Sequence, residues 1–326
     1  MPSINMAKAI NLALFEAMDR DPSVVVMGED VGPDEGVFRI TEGLHKKFGD
    51  KRVIDTPLAE SGIVGSAIGM AIYGLKPVCE IQFSGFDYYA FHQLECHASR
   101  FRNRTRGRVN VPLVMRAPYG GGIRALEHHS ESREAIYAHT PGLKVVIPSG
   151  PRNARALLHS SIQDPDPVIY YEPKALYRLF KEDVPEKMET LPIGQAQVVQ
   201  KGSELTIVSY GASLRACLEA AEMLQEEDGV KPEIIDLLTV SPLDATLVVE
   251  SVKNTGRVMV VHEGPRTCGL GAEVVARINE AALLYLEAPI KRVTGFDTPI
   301  PYFSKERFYI PDADRILNAA REVLSF

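Results

Sequence analysis

Glu60 stands directly before SGIVGSAIGMA, a run so apolar and so rich in small residues that a helix over it must be buried on most sides. Carboxylates rarely enter such surroundings unpaired. Two readings fit this glutamate by itself. It is a first-turn carboxylate that satisfies the helix dipole and caps free amides, or it is a titratable group held in a dry site where its proton has work to do. Gly62, Gly65, Ser66 and Gly69 recur three or four residues apart, so they share a face on which another backbone can come very close. Further along, Gly120 to Gly122 precede His128 and His129. Three glycines open backbone conformations closed to other residues, and an imidazole on such a loop can exchange a proton near neutral pH. Adjacent histidines point different ways in regular structure, so only one of the pair can face a given site. A polar surface loop fits the same residues.

Other patterns carry less chemistry. GLGAE at 269–273 has part of a phosphate loop but lacks GxGxxG spacing and an acidic ribose partner, so it reads as a glycine-aided helix start. Arginines 100, 102, 104, 106 and 108 would form a basic comb in a strand. With a formal net charge of −7 and no stacking aromatics beyond Phe101, they read instead as a helix end and basic loop that pair with acids, and nucleic acid is not expected as a partner. The four cysteines show no CxxC or Cys/His ligand spacing, which fits a reducing compartment. No apolar run approaches the roughly 18–20 residues of a membrane span, and the first residues have no basic-then-apolar signal layout. A cytoplasmic protein without membrane partners is expected.

The elements that must position these residues alternate. Short apolar runs at 24–27, 52–54, 77–81, 112–116, 144–147 and 168–171 are separated by loops and helical patterns, as a parallel α/β sheet requires. The first helix gathers Met6, Ile10, Ala13, Leu14 and Ala17 on one face, and another follows Pro151. A charged, proline-bearing stretch at 177–192 reads as a linker between a first domain over 1–176 and a second over 193–326. Strands are expected again at 205–209, 232–236, 258–262 and 290–294. The fold class is therefore α/β, with two successive three-layer domains. The second holds 13 Lys and Arg against 19 Asp and Glu over 191–326, nearly all the excess negative charge. Ligands in such sheets collect beyond the carboxyl ends of the strands, where GEDVG (28–32), DTPLAES (55–61), QFSGF (82–86) and APYGGGIRALEHHSES (117–132) fall.

With GEDVGPDEGVFRITEGL, FGDKRVIDTPLAESGIVGSAIGMA, EIQF, HSES, TPGLKVVIPS, DPDPVIYYEPKALYR, LPIGQAQVV, TGRVMVVHEGP and EAPIKRVTGFDTPIPY in order along nearly the whole length, the chain resembles the beta subunits of the thiamine-diphosphate-dependent 2-oxo acid dehydrogenases. The resemblance implies a pyrimidine-binding domain followed by a transketolase C-terminal-like domain. It implies that Glu60 hydrogen-bonds the cofactor's aminopyrimidine ring, that Glu29, Leu58, Gln82 and Phe86 surround that ring, and that His129 lies over the reacting centre. Sharing a proton between Glu60 and the ring promotes loss of the thiazolium proton, and a low-dielectric setting strengthens that bond. His129 would move protons or orient the lipoyl disulfide during acyl transfer.

A GDG followed by a downstream asparagine, the pattern that holds magnesium and diphosphate in thiamine enzymes, is absent from the sequence. The resemblance accounts for this: an alpha subunit supplies that half, in an α2β2 heterotetramer. It also implies potassium at Leu113, Ser161, Asp164 and Asp166, and docking of the acidic C-terminal domain on the dihydrolipoyl acyltransferase core. A second reading, a non-catalytic subunit that links the alpha chain to that core, is discriminated by Glu60. A transketolase-like sugar enzyme is disfavoured, because its diphosphate domain would precede this one in the same chain. For substrate, EPKALYR and VTGFDTPIPYF lean towards branched-chain 2-oxo acids, whereas the N-terminal half fits pyruvate equally.

Overall fold

Met6, Ile10, Ala13, Leu14 and Ala17 are all buried on the helix Met6–Arg20, as their spacing predicts. Asn5 caps it, its side-chain oxygen accepting the Lys8 amide at 3.0 Å. The computed structural model describes residues 3–326, and in it this helix packs with Pro151–Gln163 on one face of a seven-stranded sheet. The helices Glu60–Ile72 and Asp87–Cys96 cover the other face. The strands show why three layers result. Val78 and Val114 turn towards the first helix pair, while their neighbours Cys79 and Met115 turn towards the second. Both faces are covered, so the strands are mainly apolar rather than alternating, with Glu80, Arg116 and Glu172 as buried charged exceptions.

Six strands of this sheet are parallel, in the spatial order Lys144–Val146, Val168–Pro173, Val114–Tyr119, Lys76–Glu80, Val24–Gly28, Val53–Asp55. A second sheet is ordered Lys291–Thr294, Val258–His262, Thr206–Ser209, Glu233–Asp236, Gln197–Gln200, with only the last strand antiparallel. Ser213–Asp228 and Ala313–Leu324 pack on one side of it and Ala245–Thr255 with Leu270–Ala282 on the other.

Two features depart from a plain succession of sheets. Thr239–Ser241, well past the charged stretch, adds an antiparallel edge strand to the first sheet beside Lys144–Val146. The stretch read as a linker is partly held down. Its residues Lys181–Asp183 pair with Ser3–Asn5, and Arg155 donates to the Pro185 carbonyl at 2.5 Å. Backbone pairing of three-residue strands leaves no periodicity in a sequence, so neither feature was visible there. Among the described residues no helix is long and apolar enough to cross a membrane.

Candidate active site

Three loops beyond the carboxyl ends of neighbouring strands converge. The Thr56 amide donates to the Gly28 carbonyl at 2.9 Å, and the Gly32 amide donates to the Asp55 carboxylate at 2.7 Å, which ties the first two loops together. Glu29 leaves the first loop, and Glu60 opens the helix Glu60–Ile72; each is only 7 % exposed. Ala59, at the N-cap, offers that helix no capping side chain, and Glu60 is in its first turn. No cation pairs with Glu60 among the described residues. The second reading of this glutamate, a buried carboxylate with an unassigned partner, therefore describes it better than a surface cap. Glu29 has one carboxylate oxygen buried without a hydrogen-bond partner. Burial first, and then the charges of Glu60, Asp30 and Glu80, push the Glu29 carboxyl up to about 7. Gln82 crosses from the third loop and donates to Asp30 at 2.6 Å.

The aromatic side of the cleft is built by Phe83, Phe86 and His129. The imidazole lies 4.3 Å from the Phe83 ring centroid and meets Phe86 edge-on at 5.2 Å. His129 Nδ1 is 2.7 Å from the Glu127 carbonyl, so the hydrogen-bond network assigns the proton to Nδ1 and leaves Nε2 as the acceptor in the neutral ring. His128, whose left-handed backbone (φ 63°) separates it from its neighbour, is exposed and stands 3.9 Å from Glu131. The His128 ring also comes within 6.2 Å of the Phe86 centroid, but His129 is the nearer of the pair and the one that contacts both phenylalanines. Ser84 donates to the Glu131 carbonyl at 2.7 Å, and Gly85 has no room for a Cβ because the His128 carbonyl occupies the space. The two loops therefore interlock. Behind Phe86, Asp87 is buried against Arg133 at 2.9 Å and the Tyr171 hydroxyl at 2.5 Å. Leu58, on the second loop, is 79 % exposed.

The glycine run behaves differently from a freely mobile loop. Gly121 donates its amide to Glu263 at 3.3 Å, Gly122 and Arg124 donate theirs to Glu306 at 2.9 and 2.8 Å, and Lys174 donates to the Gly120 carbonyl. Burial raises the Glu263 carboxyl and lowers the Lys174 ammonium, each partly offset by the other. The sequence reading singled out neither Glu263 nor Glu306; the only hint was that three consecutive glycines imply close packing. It also passed over a buried triad beneath the cleft. Arg116, wholly buried, lies between Glu80 and Glu172, and Glu172 accepts the Tyr177 hydroxyl at 2.5 Å.

Leu113, Ser161, Asp164 and Asp166 meet where Pro151–Gln163 runs into Val168–Pro173. The Leu113 carbonyl accepts the Val168 amide at 3.0 Å and the Ser161 carbonyl accepts the Asp164 amide at 3.3 Å. Both carboxylates have protein cations. Lys144 sits 2.6 and 2.7 Å from the two oxygens of Asp164, and Arg102 sits 2.6 Å from Asp166. No cluster of three or more His, Cys, Asp or Glu side chains is placed for a metal among the described residues. The basic stretch is helical over Phe101–Arg104 and then loops, with Arg102 on Asp166 and Arg100 on Glu95, as ion pairing rather than a comb predicts. GLGAE is a helix start: Gly269 and Gly271 make room for the buried His262 imidazole, which accepts the Gly271 amide at 3.2 Å.

These sheets and this cleft define a transketolase-type α/β chain. The family model "Transketolase, pyrimidine binding domain" matches residues 2–179, and "Transketolase, C-terminal domain" matches 194–316. A solved structure described as a split gene transketolase, inactive beta4 tetramer, superposes with a TM-score of 0.79 over 99 % of both chains at 23 % identity, which speaks to the fold. The chain is 50 % identical over 99 % of its length to the pyruvate dehydrogenase E1 component subunit beta of Acholeplasma laidlawii, with 98 % of that relative covered. It is 49 % identical to the subunit of the same name from Staphylococcus epidermidis and 48 % to that from Staphylococcus aureus, each over the full length of both chains. The chain belongs to the beta subunits of the thiamine-diphosphate-dependent 2-oxo acid dehydrogenases.

The residues present fit half of that cofactor. An unpartnered buried oxygen on Glu29, an uncompensated carboxylate on Glu60, an exposed leucine at 58 and the Phe83, Phe86 and His129 rings suit a flat, polar-edged ring such as an aminopyrimidine.

Proposed function

We propose that this chain supplies the pyrimidine-binding half of an active site that oxidatively decarboxylates pyruvate and passes the acyl group to lipoyl chains, the other half coming from an alpha subunit in an α2β2 tetramer. The observation that carries the proposal is the pair Glu29 and Glu60, buried together without a counter-cation at the mouth of the first sheet. Pyruvate is favoured over the branched-chain acids because the relatives at 48–50 % identity are named for it.

Glu60, Glu29, Leu58, Gln82 and Phe86 would hold the aminopyrimidine. When bound, thiamine diphosphate supplies the carbon nucleophile for the 2-oxo group and the sink for the electrons released with carbon dioxide. Glu60 Oε holds a proton against a ring nitrogen, and the dry pocket keeps that proton from water. Glu29, with its carboxyl raised to about 7 by burial and by the charges of Glu60, Asp30 and Glu80, is protonated in roughly half of the molecules at neutral pH, which lowers the negative charge facing the ring. The Phe83 and Phe86 rings exclude water, and His129 presents Nε2 as a proton acceptor for the lipoyl step.

Magnesium and the diphosphate would be held by the alpha subunit. Its contact is best sought on the exposed side of Glu60–Ile72, where Ser61, Gly62, Ser66, Gly69 and Ile72 face outward. The acidic C-terminal half would dock on the dihydrolipoyl acyltransferase core, in the cytoplasm. Potassium at Leu113, Ser161, Asp164 and Asp166 is part of the proposal. It would add its charge beside Lys144 and Arg102, and a melting temperature equal in potassium and choline chloride would count against it.

The deciding experiment is Glu60→Gln in the reconstituted tetramer. Pyruvate decarboxylation is expected to fall by about 10²–10⁴-fold while light scattering still reports the tetramer. Near-normal turnover would return the chain to the role of an assembly subunit.

A further inference from the structure

The segment between Gly120 and Glu131 carries His129 but has little of its own to hold it. Ile123, Leu126, Glu127 and His128 are exposed, and no regular element lies between them. Its far end is fixed locally. The Glu131 carboxylate accepts the amides of His128 and Ser130, both at 3.1 Å, and the Glu131 carbonyl is held by Ser84 and by the Gly120 amide. Its near end is fixed from a distance. Glu306, 4 % exposed at the head of Glu306–Tyr309, takes the amides of Gly122 and Arg124 on its two oxygens, one each. Glu263, at the end of the strand Val258–His262, takes the Gly121 amide. Gly120 (φ 76°) and Gly122 (φ 93°) hold the left-handed backbone that aims these amides at the carboxylates. A Cβ at Gly120 would run into Glu263, and one at Gly121 would meet Ile300, Ile310 and Glu306.

We propose that Glu306, supported by Glu263, is a positioning residue: the C-terminal half grips the glycine run by its amides and thereby sets where His129 stands over the cleft. The inference rests on the reading of His129 as a participant in the lipoyl step. Neither glutamate touches the aromatic cluster, so the effect reaches the imidazole through the backbone of 121–128. Charge-assisted hydrogen bonds to two amides are stronger than neutral ones, and Gly122 and Arg124 have these two carboxylate oxygens as their amide acceptors.

The test uses the holo tetramer with its alpha subunit, carrying Glu306→Ala or the milder Glu306→Gln, which keeps one acceptor oxygen. Hydrogen–deuterium exchange of the peptide over residues 119–127 reads the grip directly. Exchange at Gly122 and Arg124 is expected to quicken by about tenfold or more in Glu306→Ala and by less in Glu306→Gln. In parallel, turnover with a lipoyl-domain acceptor is compared with turnover using an artificial dye. The lipoyl-to-dye ratio is expected to fall in Glu306→Ala, to recover partly in Glu306→Gln, and to fall no further when His129→Ala is added. Wild-type exchange in Glu306→Ala overturns the anchoring. Fast exchange with an unchanged ratio, where His129→Ala alone lowers that ratio, overturns the link to His129. If His129→Ala leaves the ratio untouched, the reading of His129 fails, and fast exchange in Glu306→Ala still upholds Glu306 as the anchor of the segment.

Discussion

Glu29 and Glu60 reach one cleft from separate elements, a loop after the strand Val24–Gly28 and the first turn of Glu60–Ile72, and the charge of Glu60 helps hold the Glu29 carboxyl near 7. Two acids without a cation between them resist ionising together. Glu29 is therefore protonated in a substantial fraction of molecules near neutral pH, which an isolated glutamate would not be.

That arrangement sets a pH dependence whose sign can be worked out. The Glu29 carboxyl is raised in the folded chain from its ordinary value near 4.5 to about 7. Between those values the folded state binds the extra proton, so this group's contribution to stability declines as pH rises through that window. Glu29→Gln keeps the shape and removes the titration. In thermal melts of the chain without cofactor, the variant should match wild type near pH 4.5 and become the more stable of the two by pH 8. A gap that stays constant across that range would mean Glu29 is not the titrating group.

The outward face of Glu60–Ile72 offers a cleaner separation of folding from assembly. A Cβ at Gly69 meets no atom of this chain within 4 Å. Gly69→Leu should leave the isolated chain as stable as wild type or better by up to about 1 kcal/mol, since leucine is the stronger helix former. The same side chain should block the alpha subunit, shifting co-purified material from tetramer to free chains in size-exclusion profiles. Unimpaired tetramer formation would remove this face from the interface.

What the sequence discloses follows from the distance over which each residue acts. The three-layer order is legible because Met6, Ile10 and Leu14, or Val78 and Cys79, declare their faces within a few positions. Glu60 is legible because its type clashes with the apolar run that follows. His129 is distinguishable from His128 only in part: both rings approach Phe86, and nothing local says which one also reaches Phe83. Glu29 becomes a site residue only through the family resemblance: in GEDVG it is one of two acids, and its orphaned oxygen exists only once the fold has buried it. Glu263 and Glu306 lie 142 and 184 positions from the amides they accept, a separation no local pattern records. Thr239–Ser241 and Lys181–Asp183 owe their strand state to a partner strand and not to their own residues.

The interlock between Gly85 and His128 makes the last prediction. Gly85 is not in a left-handed conformation, so backbone strain does not explain the glycine; the His128 carbonyl fills the space a Cβ would need. That carbonyl is main chain and cannot swing aside as a long side chain could, so Gly85→Ala must move either Phe86 or the segment that bears His129. Overpacking of this kind costs about 1–3 kcal/mol. Gly49→Ala is the control: Gly49 has open space around it but a backbone conformation (φ 73°, ψ 174°) nearly restricted to glycine, so alanine there should cost about 1–3 kcal/mol and leave the cleft alone. If both variants unfold at similar urea concentrations, yet only Gly85→Ala loses lipoyl-dependent turnover, then the loss comes from the displaced aromatic wall. Equal turnover in the two would show that the cleft tolerates the shift and that the close approach of Gly85 to His128 serves packing alone.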